Sequence, residues 1–264
     1  MISLPIRLCF GWLLISLHGL FADPIDLFFG TGGRGAEGIY YATFNPKNGK
    51  FTPSKLVAKI GTPGFLTLHP NGKILYSIGR WEGESGVLGY YLKKNGQLKE
   101  FTRMACPDGS SSHIAVHSSG KFLLTAQYGG GSVALFPIDE DGNLAVPTIH
   151  EHQGGSKVVE RRQESPHPHW TGFSPCGKYA LVPDLGLDQI VVYKVDPNKP
   201  AIFRHSIGQS VPGGGPRHMR FSVDGKFIFL LNELSLSVTT FAWDGKRGTA
   251  GKLSTTSAIS EEAR

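Results

Sequence analysis

The sequence predicts an all-β fold, a β-propeller of four-stranded antiparallel blades, and three observations predict it. A unit repeats along the chain: PGFLTLHPNGKILYSIG from Pro63, SHIAVHSSGKFLLTAQYG from Ser112, HWTGFSPCGKYALVPDLG from His169 and RHMRFSVDGKFIFLLNEL from Arg217. Its Gly-Lys pairs begin at Gly72, Gly120, Gly177 and Gly225, at intervals of 48, 57 and 48 residues, which is the length of a propeller blade. Composition agrees, because 35 Gly and 17 Pro in 264 residues oppose long helices while 16 Phe and 8 Tyr supply a core. A β-sandwich also has many short strands and turns, but it has no reason to keep such a period.

Taken in order, residues 1–22 differ from the rest. One charge, Arg7, precedes the apolar run LCFGWLLISL, and HGLFA leads to Asp23-Pro24. This is the pattern of a secretory signal peptide cut after Ala22, and it predicts an exported protein. The run is too short to span a bilayer comfortably as a retained anchor. Cutting there removes Cys9 and leaves Cys106 and Cys176, which are expected as unpaired thiols.

From residue 23 to 264 the chain is expected to form one propeller. Residues 25–29 and 38–44 alternate as two strands of a first, partial blade. In each later unit an apolar run, a polar turn ending Gly-Lys and a second apolar run predict a hairpin, with Gly at positive φ. A third strand follows: VLGYYLK from Val87, SVALFPI from Ser132, QIVVYKV from Gln189 and SVTTFAW from Ser237. A less regular fourth completes each blade. The last unit trails into GKLSTTSAISEEAR, read as one short strand and a helix-prone charged end. About five blades are therefore expected, with open edges through which the chain can self-associate.

A formal charge of +6 with only 18% charged residues, and no long basic run, argues against a nucleic-acid reading, and the charge reflects solubility or a preference for anionic small molecules. YGGGSV from Tyr128 lacks the Lys and spacing of a phosphate loop, and G-x-G-x-x-G and G-x-S-x-G elements are missing. HPH at residues 167–169 has no matching carboxylate cluster, so neither a metal nor an organic cofactor is expected.

Chemistry concentrates where blades begin. The start of a first strand lies beside the end of its antiparallel partner, and equivalent ends gather around one mouth of the channel. His169, Arg217 and Glu233 fall there. Arg217 offers a planar fork for a carboxylate, phosphate or oxyanion. Glu233 orients that fork, or takes a proton if burial raises its pKa. His169 is the acid-base candidate, with an ordinary pKa near ~6.5. His113, His167 and His218 are candidates for holding substrate oxygens. The same side chains could instead tie neighbouring blades together, with Arg217 and Glu233 as a structural ion pair.

Three stretches, HIAVHSSGKFLLTAQYGGGSVALFPI, ESPHPHWTGFSPCGKYALVPDLGLDQIVVY and GGGPRHMRFSVDGKFIFLLNELSLSVTTF, resemble the seven-bladed lactonase family. That family includes cycloisomerase-type 6-phosphogluconolactonase and the carboxy-muconate lactonizing enzyme. The resemblance runs from about Ile25 to Trp243 and implies lactone chemistry at the channel mouth without a cofactor. It implies an acid-base role for His169 in HPHW, anion binding for Arg217 in GPRH and an acidic partner in Glu233 of NEL. A further family Arg, on a later blade, has no counterpart in the 264 residues. The implied function is hydrolysis of a sugar lactone, a small and anionic or sugar-derived partner. A noncatalytic binding propeller and a muconate-type cycloisomerase are the alternatives.

Overall fold

A computed structural model describes residues 23–33, 35–196, 198–260 and 262. The expected signal peptide, residues 1–22, lies outside the described residues. Five four-stranded antiparallel sheets follow one another along the chain. The first holds β1 (Ile25–Gly30), β2 (Gly38–Asn45), β3 (Lys50–Phe51) and β4 (Lys55–Lys59), with β3 and β4 both paired to β2. The second runs β5 (Leu66–Leu68), β6 (Ile74–Trp81), β7 (Glu84–Leu92) and β8 (Leu98–Ala105). In the third are β9 (Ser111–Val116), β10 (Phe122–Gln127), β11 (Ser132–Pro137) and β12 (Thr148–Glu151). The fourth is β13 (Gly172–Phe173), β14 (Tyr179–Asp184), β15 (Gln189–Val195) and β16 (Ile202–Gln209). β17 (Pro216–Phe221), β18 (Phe227–Asn232), β19 (Ser237–Asp244) and β20 (Thr249–Ser257) make the fifth.

β20 corrects the sequence reading of the tail. Residues 249–257 form a full strand paired along β19, so the fifth sheet is complete. Periodicity understated it because its residues are mostly small or polar and almost all exposed, Leu253 included. An outer strand needs backbone pairing but little apolar alternation.

The core lies between sheets rather than under any one of them. Ile39 of β2 packs with Leu88 and Tyr90 of β7. Tyr76 and Val87 meet Leu123 and Phe136, and Leu124 and Leu135 meet Val182 and Val191. Leu181 and Val192 close on Ile228 and Phe241. Strands covered on both faces read as mostly apolar runs rather than alternating ones: FLLTAQ of β10 and YALVPD of β14 are buried throughout, with polar residues at their ends and at Thr125. Each large side chain so buried contributes about 1.5–3 kcal/mol. β18 shows the contrast. Ile228 and Leu230 are buried, whereas Phe227, Phe229 and Leu231 are 39%, 44% and 40% exposed, so only one face of the sheet is packed.

The repeated glycines do what the turn requires. Gly72, Gly120, Gly177 and Gly225 have φ of 68°, 73°, 71° and 68°. Gly120 has a second duty. His69 Nε2 stands 3.0 Å from its carbonyl, joining the second sheet to the third, and a Cβ there would meet that nitrogen at 2.5 Å. His117 repeats the contact one blade later, 3.0 Å from the Gly177 carbonyl. Both cysteines at 106 and 176 are free thiols, the first buried and the second exposed.

Candidate active site

The first strands β5, β9, β13 and β17 stand side by side and line a groove of about 520 Å³. Phe65, His113, Trp170 and Arg220 are among the residues facing it. Trp170 is only 5% exposed and also packs into the apolar cluster between the fourth and fifth sheets. At one end of these strands the chain departs from regular pairing. In β9, Ser111 pairs with Gln127 and His113 with Ala126, leaving Ser112 as an extra residue. In β17, Pro216 pairs with Asn232 and His218 with Leu231, leaving Arg217 extra. A bulge re-aims the side chain it carries. His169 occupies the matching place before β13, where its N–H donates to the Pro183 carbonyl at 3.0 Å.

Glu233, just beyond β18, joins these elements. Arg217 Nε donates to Glu233 Oε2 at 2.8 Å, and His169 Nε2 stands 3.9 Å from the same oxygen. The other carboxylate oxygen, Oε1, accepts from Arg162 Nη2 at 2.6 Å. Arg162 and Arg217 are each 41% exposed and Glu233 30%, so both guanidinium groups reach solvent at the mouth. Each uses only part of its fork on Glu233, which leaves donors for an anionic or developing negative oxygen.

The electrostatics divide the roles. Burial pushes the Glu233 carboxyl up, but its bonds to Arg162 and Arg217 outweigh that and hold it below the ordinary range. It stays ionised, which suits orientation of the arginines rather than uptake of a proton. Burial, then the charge of Arg217, lowers the His169 pKa, so its imidazole is neutral near pH 7. Its Nδ1 is buried with no hydrogen-bond partner among the described residues, so Nε2 is the nitrogen that faces the mouth.

The three further histidines separate. His167 stacks on Tyr128, ring centroids 4.7 Å apart, and its Nδ1 lies 2.9 Å from the Tyr128 carbonyl. His218 is half-buried, its ring 5.3 Å from that of His169, and burial followed by the charges of His169 and Arg217 brings its pKa down to about 4. His113 lies deeper, 4% exposed, between Phe65 at 4.0 Å and Trp170 at 5.1 Å. Burial foremost holds its pKa at about 2.

Arg162 was not legible as a site residue. It lies in the stretch between β12 and β13, outside the repeat. One signal pointed to it: the interval from Gly120 to Gly177 is nine residues longer than its neighbours, and extra length in a regular array marks a loop with a task.

Comparison with known proteins adds to this geometry. A family model described as "Lactonase, 7-bladed beta-propeller" matches residues 26–264. The chain is 35% identical over 230 residues to 6-phosphogluconolactonase of Bacillus subtilis, covering 86% of this chain and 65% of that protein. Against 6-phosphogluconolactonase of Formosa agariphila it is 33% identical over 218 residues, covering 80% of this chain and 62% of the relative. The chain thus spans less than two thirds of the length of these curated relatives. Among solved structures, the periplasmic gluconolactonase PpgL of Pseudomonas aeruginosa superposes with a TM-score of 0.84 at 30% identity, covering 90% of this chain and 69% of that one.

Proposed function

The chain belongs to the seven-bladed β-propeller lactonase family, and from that premise we propose that it hydrolyses a sugar-derived lactone at the mouth formed by His169, Arg162, Arg217 and Glu233. The observation that carries this reading is one ionised carboxylate holding two arginines, with a neutral imidazole 3.9 Å away. A lactone carbonyl needs a donor for its developing oxyanion and a base for the attacking water.

In the proposed reaction, water attacks the ring carbonyl carbon and gives a proton to His169 Nε2. The carbonyl oxygen becomes an oxyanion, stabilised by the free N–H groups of Arg217. When the carbonyl re-forms, the ring C–O bond breaks and the imidazolium returns its proton to the leaving ring oxygen. A hydroxy acid results, with no net proton change at the histidine. Glu233 orients both guanidinium groups. Arg162 receives an anionic substituent where the lactone carries one, and a ring hydroxyl where it does not. His167 and His218 hold ring hydroxyls, and His113 backs the pair from inside the channel wall.

The names of the relatives support 6-phosphogluconolactone and gluconolactone as the first substrates to test. Export is part of the proposal, supported by the leader-like pattern of residues 1–22 and by the likeness to the periplasmic gluconolactonase of Pseudomonas aeruginosa. An exported enzyme favours the unphosphorylated lactone, since phosphorylated sugars are held in the cytoplasm. The test is lactone hydrolysis by the purified chain, with His169→Ala and Arg217→Ala measured beside it.

A further inference from the structure

The end of β14 and the turn that leads to β15, Asp184-Leu185-Gly186-Leu187-Asp188, carry two buried carboxyl groups, 0% and 1% exposed. Both are spent on groups that lead to the site.

Asp184 serves the histidine side. Its Oδ1 accepts the N–H of His167 at 2.8 Å, of Gly186 at 2.9 Å and of Leu187 at 3.1 Å. Its Oδ2 is 2.6 Å from His152 Nδ1, and His152 Nε2 is 2.8 Å from the Tyr193 hydroxyl. Leu185 N–H donates to the His167 carbonyl at 3.0 Å and His169 N–H to the Pro183 carbonyl at 3.0 Å. Residues 167–169 are thereby zipped to residues 183–185, with the Asp184 side chain filling the gap between the backbone bonds.

Asp188 serves the arginine side. Its Oδ1 accepts from Gln163 Nε2 at 2.7 Å and from Gly215 N–H at 2.9 Å, and its Oδ2 from Gly213 N–H at 2.7 Å. Gly215 leads through Pro216 into Arg217, and its carbonyl accepts the Glu233 N–H at 2.8 Å. Gln163 follows Arg162 directly and is tied a second time to the Leu185 carbonyl at 2.8 Å. One carboxyl group therefore fixes the backbone beside Arg162, Arg217 and Glu233 together. Its own backbone sits at φ 56°, the left-handed region, which Asp tolerates better than most residues.

We propose that Asp184 and Asp188 are the positioning residues of the site, Asp184 setting the histidine arm and Asp188 the arginine–glutamate arm. The proposal rests on the lactonase reading for its kinetics, but not for its geometry. Small misplacements at a reacting centre cost about 100-fold in rate, so the two arms fail differently when released.

Steady-state hydrolysis and an NMR titration of the His169 ring, run on wild type, Asp184→Asn and Asp188→Asn, test it. An amide at 184 keeps the volume but carries no charge, so the charge-assisted bonds that Oδ1 accepts from the His167, Gly186 and Leu187 N–H groups weaken and residues 167–169 loosen. His169 faces Arg217, Glu233, Arg162, His218, His113 and Tyr128, and loosening moves it from these and from burial toward water. Asp184→Asn is expected to lower kcat about 10- to 100-fold with KM near wild type, and to move the His169 titration up toward ~6.5. Asp188→Asn is expected to raise KM about tenfold or more, with the His169 titration unmoved. If either variant fails to fold, His152→Gln and Gln163→Leu release the same arms more gently and are read in the same way. The same fall in kcat and rise in KM in both variants with an unmoved titration, or no change in either, overturns the proposal. A wild type without lactonase activity whose titration still moves with Asp184→Asn alone leaves the positioning intact and removes the lactonase reading.

Discussion

Arg162 Nη2 lies 2.6 Å from Glu233 Oε1, a contact across 71 residues of sequence. It makes Glu233 the shared anchor of two guanidinium groups, because Arg217 takes the other oxygen at 2.8 Å. A lone Arg-Glu pair at a half-exposed site contributes little to stability. Two arginines held 41% exposed on one carboxylate are better explained as a device for receiving negative charge. Arg162→Ala is expected to weaken kcat/KM about 10- to 100-fold, mostly through KM, and more for a phosphorylated or carboxylated lactone than for a neutral one. Kinetics on the paired substrates check this, and equal losses on both would assign Arg162 to structure alone.

In the proposed reaction His169 sets an acid limb. Its neutral form is the base, so activity holds above its pKa and falls as pH drops through it. Burial, then Arg217, lowers that pKa, which places the limb below the ordinary value of ~6.5. Glu233 opposes the shift from 3.9 Å, so Glu233→Gln is expected to move the limb further toward acid. A pH profile of kcat/KM for wild type and this variant measures it.

His113 carries a stability signature. Its pKa is about 2 when folded, chiefly through burial, against ~6.5 when unfolded. The unfolded chain binds the extra proton first as pH falls below ~6.5, so stability declines through that window. The effect is absent above it. His113→Gln is expected to give a shallower fall in melting temperature between pH 7 and pH 4 than wild type, followed by calorimetry.

Two glycines of the repeat should differ although they share one turn. Gly72 has φ 68° and open space where a Cβ would sit; Gly120 has φ 73° and His69 in the way. Gly72→Ala is expected to cost about 1 kcal/mol and Gly120→Ala about 2–3 kcal/mol, read from denaturant unfolding. Equal costs would mean that the His69 contact does not hold the second and third sheets together.

The outward residues Phe227, Phe229 and Leu231 of β18 form an apolar stripe, and Ile25 and Phe29 of β1 are exposed as well. The 264-residue chain is expected to associate with rising concentration, and the double substitution Phe229→Asp, Leu231→Asp to reduce that association. Sedimentation velocity distinguishes the two, and a wild type that stays monomeric contradicts it.

Much of the fold could be read from the sequence because its turns are chemically constrained. Gly at residues 72, 120, 177 and 225 is needed for positive φ, and mostly apolar runs such as FLLTAQ are needed between two packed sheets. β20 was read too short because, apart from Ala250 against the core and the Thr239–Thr255 hydroxyl contact, it is held by backbone pairing. The site followed a similar division. His169, Arg217 and Glu233 lie at repeating positions, so strand pairing places them at one mouth. Arg162 comes from an irregular loop with no register to follow. Asp184 and Asp188 could be located at a strand end and turn, but which N–H groups they accept depends on folded backbone that periodicity does not describe.

The most direct measurement is the rate of base uptake, at constant pH, as purified wild type, His169→Ala and Arg217→Ala hydrolyse gluconolactone and its 6-phosphate. Wild type is expected to hydrolyse its lactone saturably, with a loss of about 10²- to 10⁴-fold in kcat/KM for each variant. Equal rates for all three proteins would contradict this.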